Sequence, residues 1–349
     1  MGSESIPPRI SVREIAKQMG LSHATVSMAL RGSPRVSPQT REEVRRYAEM
    51  IGYRPDPMLG ALAHYRQSKA GGAMKAAIGW VNAWENPDRL RSYREFDGYW
   101  NGAKAEAEKS GYRLEEFRVG RECSPEHLHW ILEARGIGGL LLPPHLIQPD
   151  WGKFPWGNYS VVKLGRSLSQ PTAHLVTSDQ MSNAMLAYRS IRHRGYRRIG
   201  FATEQLEFLP PNHLFGAGWL LAQKLMPVEE RIPSFQFLRH QRHQHAELFG
   251  KWLDEFRPEA ILTDFPGVPE LLDSLGIKVP GDVGLAGTTI RDLKVDSGID
   301  QHPEEIGRTA FLMLNGLINE GIRGEPKLRR QLLVQGDWVD GTSLPAKNR

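Results

Sequence analysis

Between residues 76 and 343, short apolar runs alternate with helix-patterned segments, and this alternation restricts the fold more than any other feature of the chain. AAIGWVNAW (76–84), RLEEFRV, GIGGLLLPP (136–144), YSVVKLG, EAILTDF, GDVGLAGT and a closing QLLVQGDWV read as strands. REFDGYWNGAKAEAEKSGY (94–112), SPEHLHWILEARG (124–136), PPNHLFGAGWLLAQKLM and PEEIGRTAFLMLNGLINEG (303–321) carry helical spacing. SDQMSNAMLAYRSIRHRGYRRIGFAT gives a capped helix, a turn and another strand. Repeated β-α units of this length predict an α/β body of parallel sheets with helices on both faces. Ligands of such sheets bind beyond the carboxyl ends of the strands.

The N-terminal segment obeys different rules. Ser11 and Glu14 form an S-x-x-E capping box, followed by Val12, Ile15, Ala16 and Met19 at helical spacing. Gly20 permits a left-handed turn, and Ser22 caps a second helix from His23 to about Arg31. Val26, Ala29 and Leu30 face inward, while His23, Ala24, Ser27 and Met28 share the opposite side. The spacing predicts a helix-turn-helix, in which small Ala16 lets the helices approach and Val26 locks them together. Ser37-Pro38 starts a third helix, which ends near Gly52, before Tyr53-Arg54-Pro55-Asp56-Pro57.

Charge follows the same division. Eleven of the 45 Lys and Arg and six of the 40 Asp and Glu lie in residues 1–70, so the rest of the chain is balanced and the whole net charge of +5 sits at the front. A basic module on a neutral body is expected where one end meets a polyanion.

The run S-V-R-E-I-A-K-Q-M-G-L-S-H-A-T-V-S-M-A-L-R, then R-V-S-P-Q-T-R-E-E-V and G-Y-R-P-D-P, resembles the DNA-binding headpiece of the lactose-repressor/galactose-repressor (LacI/GalR) family, ungapped over about residues 10–66. The resemblance implies a homodimeric transcription regulator, most often a repressor, bound to a palindromic double-stranded DNA operator. Ser22 and Thr25 fall where the family holds phosphates or orients the reading helix. His23, Ala24 and Met28 fall where it reads base edges, with Ser27 beside them. Ser11, Ser37, Thr40 and Tyr53 fall at phosphate-contacting positions, and Leu62 at the minor-groove wedge. Leu59 stands where a small Ala is usual, and it either inserts beside Leu62 or packs one hinge against the other. Met28 departs from the frequent Arg, exchanging a bidentate guanine contact for apolar packing. Asp56 replaces the usual Asn.

The body resembles the family's periplasmic-binding-protein-like core through G-Y-R-R-I-G-F-A, L-G-I-K-V-P-G-D-V-G-L-A-G, P-E-E-I-G-R-T-A and G-D-W-V-D-G-T-S. The expected domains are a helix-turn-helix in 1–54, a hinge helix and linker in 55–75, and an effector-binding, dimerising core in 76–349. Lobe 1 would take about 76–171 and 299–330, and lobe 2 about 172–298 and 331–349, with crossings near Pro171, Val295 and Arg330. The tail LPAKNR is too short for a tetramerisation heptad, which favours a dimer. The effector, a sugar or related metabolite, would lie between the lobes against Trp84, Tyr93, Phe96, His213 and Asp264. Thr288-Thr289 replaces the family's frequent acidic pair. Its frequent Arg ahead of the Gly-aromatic helix pair becomes Phe215 or His213, depending on register, and this weakens the case for a sugar.

Other functional classes find less support. No apolar run reaches the ~18 residues of a membrane span, and the N-terminus has no apolar leader, so a cytoplasmic protein is expected. The single Cys123 suits a reducing compartment. His240, His243 and His245 have poor ligand spacing, no phosphate-loop or nucleophile-elbow motif occurs, and no cofactor or metal is expected. A solute-binding receptor without a DNA role is the alternative, and it should carry an export signal.

Overall fold

The computed structural model describes residues 11–30, 36–51, 53, 76–120, 123–205 and 214–347. The expected roles of Leu59, Leu62 and His213 lie outside these residues.

Three helices form the headpiece: α1 (Val12–Met19), α2 (His23–Leu30) and α3 (Pro38–Met50). The capping box is made: Glu14 N donates to Ser11 Oγ at 3.3 Å, and Ser11 N donates to Glu14 Oε2 at 2.6 Å. Gly20 ends α1 with φ of 64°, the left-handed conformation that a side chain resists. Ile15, Ala16, Val26, Ala29, Val36, Val44 and Ala48 form a buried core of their own beneath the three helices.

In the body, twelve strands make two six-stranded sheets. The first contains β1 (Ala76–Asn82), β2 (Tyr112–Arg118), β3 (Gly139–Leu142), β4 (Ser160–Leu164), β5 (His174–Ser178) and β11 (Gln331–Val334), in the order β11-β5-β4-β3-β1-β2. The second contains β6 (Ile199–Gln205), β7 (Phe235–Leu238), β8 (Ala260–Thr263), β9 (Gly284–Gly287), β10 (Gly298–Asp300) and β12 (Asp337–Val339), in the order β12-β10-β9-β8-β6-β7. Pairing is parallel except for β12, which runs antiparallel to β10. The strands β3, β4, β5, β8 and β9 are buried along their whole length, as two-sided cover requires.

The connecting helices are α4 (Arg94–Lys109), α5 (Pro125–Ala134), α6 (Gln180–His193), α7 (Leu214–Lys224), α8 (His245–Phe256), α9 (Val268–Ser274) and α10 (Pro303–Glu320). Helix α10 returns from the second lobe to lie on α4 of the first. Their backbones touch at glycines: a Cβ on Gly102 would stand 1.8 Å from the Glu304 carbonyl oxygen, and one on Gly307 would stand 1.9 Å from that of Tyr99.

The crossings fall later than the sequence reading places them. His174–Ser178 still belongs to the first sheet, so the first crossing follows Ser178, not Pro171. Gly298–Asp300 still belongs to the second, moving the next crossing from Val295 to Gln301-His302. QLLVQGDWV is not one strand: residues 331–334 pair with β5 and residues 337–339 with β10, so the last crossing lies at Gln335-Gly336, not at Arg330. Gly336 explains the break. Its backbone N donates to Asn183 Oδ1 at 2.8 Å, and a Cβ there would stand 2.6 Å from the Asp300 carbonyl oxygen. His302, at φ 54°, hydrogen-bonds Asp337 at 2.9 Å and so ties the second crossing to the third.

Candidate DNA-reading headpiece and interlobe cleft

Each headpiece helix begins at a serine hydroxyl. Besides Ser11, Ser22 Oγ accepts from Thr25 N at 3.0 Å and pairs with Thr25 Oγ1 at 2.8 Å. Ser37 Oγ accepts from Thr40 N at 3.1 Å and pairs with Thr40 Oγ1 at 2.7 Å. Helix N-termini present unsatisfied N–H groups and positive potential, the local chemistry that receives phosphate. Tyr53 N donates to the Ala48 carbonyl at 2.9 Å, holding the chain against the end of α3.

On α2, His23 and Ala24 are exposed and Ser27 is half-buried on the same side, an outward face free of core packing. Met28 is half-buried and packs on the headpiece core, so it sits at the rim of that face rather than at its centre. A residue at that rim must be long to reach a base edge, and Met is long but apolar. Arg13, Lys17, Arg45 and Arg46 are exposed around the module and supply positive charge.

In the body, the first lobe gathers Trp84, Tyr93 and Phe96. Ring centroids lie 5.7 Å apart for Trp84–Tyr93, 6.3 Å for Trp84–Phe96 and 5.3 Å for Tyr93–Phe96. Trp84 is 6% exposed and its indole N–H donates to the Pro144 carbonyl at 2.8 Å. It therefore offers an apolar wall and no free donor, while Tyr93 and Phe96 stay partly exposed. Asp264 stands on the second lobe just beyond β8. It accepts from Thr203 Oγ1 at 2.8 Å and from Glu204 N at 3.3 Å, and burial pushes its carboxyl up to about 7.

Sequence reading missed the residues that join the lobes. Helix α4 has no side-chain cap of its own at Tyr93. Asp292 of the second lobe supplies one: it accepts from Arg94 N at 2.7 Å and Glu95 N at 3.1 Å. A carboxylate at a helix N-terminus is favoured by the exposed N–H groups and the helix dipole. Beside it, Thr289 Oγ1 donates to Glu95 Oε2 at 2.8 Å. Glu95 is 6% exposed, its Oε1 is buried with no hydrogen-bond partner among the described residues, and burial pushes its carboxyl up to about 7. Thr289 is one of the two threonines that replace the family's acidic pair, and the acid facing it comes from the opposite lobe. Only that replacement signalled the pairing in the sequence.

His240 and His243 lie in the short 3-10 turn Arg239–Gln244, whereas His245 is buried at the start of α8 with Nε2 2.9 Å from the Leu238 carbonyl. Among the described residues, no group of three His, Cys, Asp or Glu is placed to hold a metal, and no helix is long and apolar enough to cross a membrane.

A helix-turn-helix headpiece ahead of two α/β lobes defines a DNA-binding transcriptional regulator. The family model described as "Bacterial regulatory proteins, lacI family" matches residues 11–56, the headpiece. Across nearly its whole length the chain is similar to the HTH-type transcriptional regulator PtxS of Pseudomonas aeruginosa, with 26% identity covering 94% of this chain and 95% of that one. Two solved structures share the fold. A transcriptional regulator CelR–cellobiose complex has 19% identity and a TM-score of 0.55, over 96% of this chain and 100% of that chain. A lac repressor dimer bound to operator and the anti-inducer ONPF has 17% identity and a TM-score of 0.54, over 97% of this chain and 100% of that chain.

Proposed function

We propose that this chain acts in the cytoplasm as a homodimer on a palindromic double-stranded DNA operator, most often as a repressor, under control of a small-molecule effector between its lobes. Helix α2 of each subunit enters the major groove, with His23, Ala24, Ser27 and Met28 toward the bases and Ser11, Ser22, Thr25, Ser37, Thr40 and Tyr53 toward phosphates. Leu62 of each subunit wedges into the central minor groove with Leu59 beside it. The effector, a sugar or related metabolite, rests on Trp84, Tyr93 and Phe96 and reaches Asp264. The observation that carries this reading is the polar seam between the lobes. Asp292 caps α4 across the cleft, so whatever moves the lobes must make or break that cap. A ligand that distinguishes the two arrangements by ~1.4 kcal/mol gives tenfold coupling.

The test is a gel shift with the DNA upstream of the protein's own gene, repeated over a salt series. Affinity should fall with a log–log slope of roughly −0.9 per phosphate neutralised. Binding that ignores salt, or that survives removal of residues 1–66, would refute the reading.

Base contact by Met28 has its own check. Met28→Arg should shift the preferred operator toward guanine at one position per half-site, by about 1–3 kcal/mol. An unchanged consensus from selection on random DNA would place Met28 in headpiece packing alone.

A further inference from the structure

The donors and acceptors at the carboxyl end of the second sheet narrow the class of effector, on the reading of the cleft given above. Strands β8 and β9 are neighbours: Thr263 stands opposite Gly287, and Thr288 N donates to the Thr263 carbonyl at 2.9 Å. Asp264 follows β8 and Thr288-Thr289 follows β9, so both stand at the carboxyl ends of strands that run about 4.7–4.9 Å apart. Thr289 holds Glu95 of the first lobe through its hydroxyl. Two carboxyl groups, one from each lobe, therefore converge where ligands of parallel sheets bind. Glu95 lies in the first turn of α4, between Tyr93 and Phe96 in the chain, and the rings of those two are partly exposed in the aromatic wall.

Several donors at this end of the cleft are already spent on the protein. Thr203 Oγ1 donates to Asp264, Thr289 Oγ1 to Glu95, Gln301 Nε2 to the Thr288 carbonyl at 2.8 Å, and Trp84 Nε1 to the Pro144 carbonyl. Arg291 acts on Glu95, but its guanidinium makes two hydrogen bonds to Glu304, each of 3.1 Å. Acceptor capacity is left over. Glu95 is 6% exposed and its Oε1 has no hydrogen-bond partner among the described residues. Asp264 takes one hydroxyl and one backbone N–H, which leaves lone pairs on both oxygens. An acceptor kept from water without a partner is costly, and a ligand that donates to it removes that cost. A neutral polyol accepts as well as donates, whereas an ammonium group only donates. A cation also favours the ionised form of both carboxyls, which burial opposes, and it is attracted to the faces of aromatic rings.

We propose that the effector is a small amine, an amino sugar or amino alcohol, whose ammonium group is held by Glu95 and Asp264 beside the rings of Tyr93 and Phe96.

The experiment is isothermal titration calorimetry of the full chain near neutral pH with glucosamine, ethanolamine, glucose, N-acetylglucosamine and gluconate. These probes keep similar hydroxyl groups while the charge changes from positive to neutral to negative. At least one of the two amines should bind at one site per chain, at least tenfold tighter than glucose and N-acetylglucosamine, and gluconate should not bind. Glucosamine ahead of ethanolamine supports the proposal with an amino sugar as ligand, and equal binding supports it with the amino alcohol portion as the part recognised. Glu95→Gln should remove at least tenfold of the amine affinity and leave that for glucose unchanged, and Asp264→Asn is the second variant with the same expectation. Absence of binding by both amines, or amine binding undiminished in both variants, would overturn the proposal. Tighter binding of glucose or gluconate, lost in Phe96→Ala, would overturn the amine class and leave the cleft as the effector site. Operator affinity measured with the amine bound tests the cleft reading separately: amine binding that leaves DNA affinity unchanged supports the amine site and removes its regulatory role.

Discussion

Gly307→Val is expected to destabilise the first lobe strongly. Helix α10 lies on α4 with no room for a side chain between them: a Cβ at Gly307 would be 1.9 Å from the Tyr99 carbonyl oxygen and 2.9 Å from Ala103 N. Those are backbone atoms in the middle of a helix, and they cannot rotate away. The helices would have to separate, exposing Ala103, Ile306, Ala310 and Phe311, all fully buried. Overpacking of this kind costs typically 1–3 kcal/mol, and rigid backbone on both sides puts this case at about 3 kcal/mol or beyond. A domain stable by about 5–15 kcal/mol loses much of its margin. Urea unfolding followed by far-UV circular dichroism should show a lower midpoint. Gly316 of the same helix is the internal control, because nothing stands within 4 Å of its added Cβ. Gly316→Ala should raise stability by roughly 0.5–1 kcal/mol through helix propensity. Equal behaviour of the two variants would mean that the helix contact is not rigid.

Glu95→Gln is expected to make the joined arrangement of the lobes less sensitive to pH. The Glu95 carboxyl is raised from an ordinary 4.5 to about 7, first by burial and then by Asp292 and Asp300, against the lowering effects of Thr289 and Arg291. Tyr99 also faces it. A raised folded value means that the joined, folded form holds a proton that the separated or unfolded form has released. The stabilisation is therefore complete below about 4.5 and is lost as pH rises through about 7. At 1.36 kcal/mol per unit, the full span is on the order of 3 kcal/mol. Glutamine keeps the shape and the hydrogen bond to Thr289 but cannot ionise. The variant should be more stable than the parent at pH 8 and match it near pH 5, with Asp264 leaving a residual slope. Thermal melts at pH 5, 6, 7 and 8 check this. A parent protein whose melting temperature does not fall between pH 5 and 7 relative to the variant would contradict the assignment.

The headpiece was legible because its signals are local. Ser11 and Glu14 three apart, Gly20 at the turn and Ser37-Pro38 at a helix start each act within one turn of chain, and the helices begin and end beside them. The alternation of the body was legible for the same reason. The crossings were not. Nothing in QLLVQGDWV separates Val334 from Asp337 except Gly336, and that glycine is needed because Asp300 and Asn183, distant in sequence, crowd it. The cleft divides likewise. Trp84, Tyr93 and Phe96 sit near one strand end and could be grouped from the sequence, although the bond from Trp84 to Pro144 could not. Glu95 stands nearly 200 positions from Thr289 and Asp292 in the chain, and only folding brings it to them.

The three crossings also set the order in which the molecule can be made. One edge strand of the first lobe, β11, and helix α10, which packs on α4 and on strands β3, β4 and β5, come from residues 303–334, after all but the last strand of the second lobe. A chain emerging from the ribosome N-terminus first therefore carries a first lobe that stays incomplete until almost the whole protein is synthesised. The headpiece, with its own small core, has by then been outside for an interval on the order of tens of seconds at about 5–20 residues per second. During that interval the DNA-reading module exists while the machinery that restrains it does not. On the dimeric reading proposed above, the need for a second subunit would then be a safeguard, because a single nascent headpiece would hold DNA only through the weak, salt-sensitive contacts of one half-site.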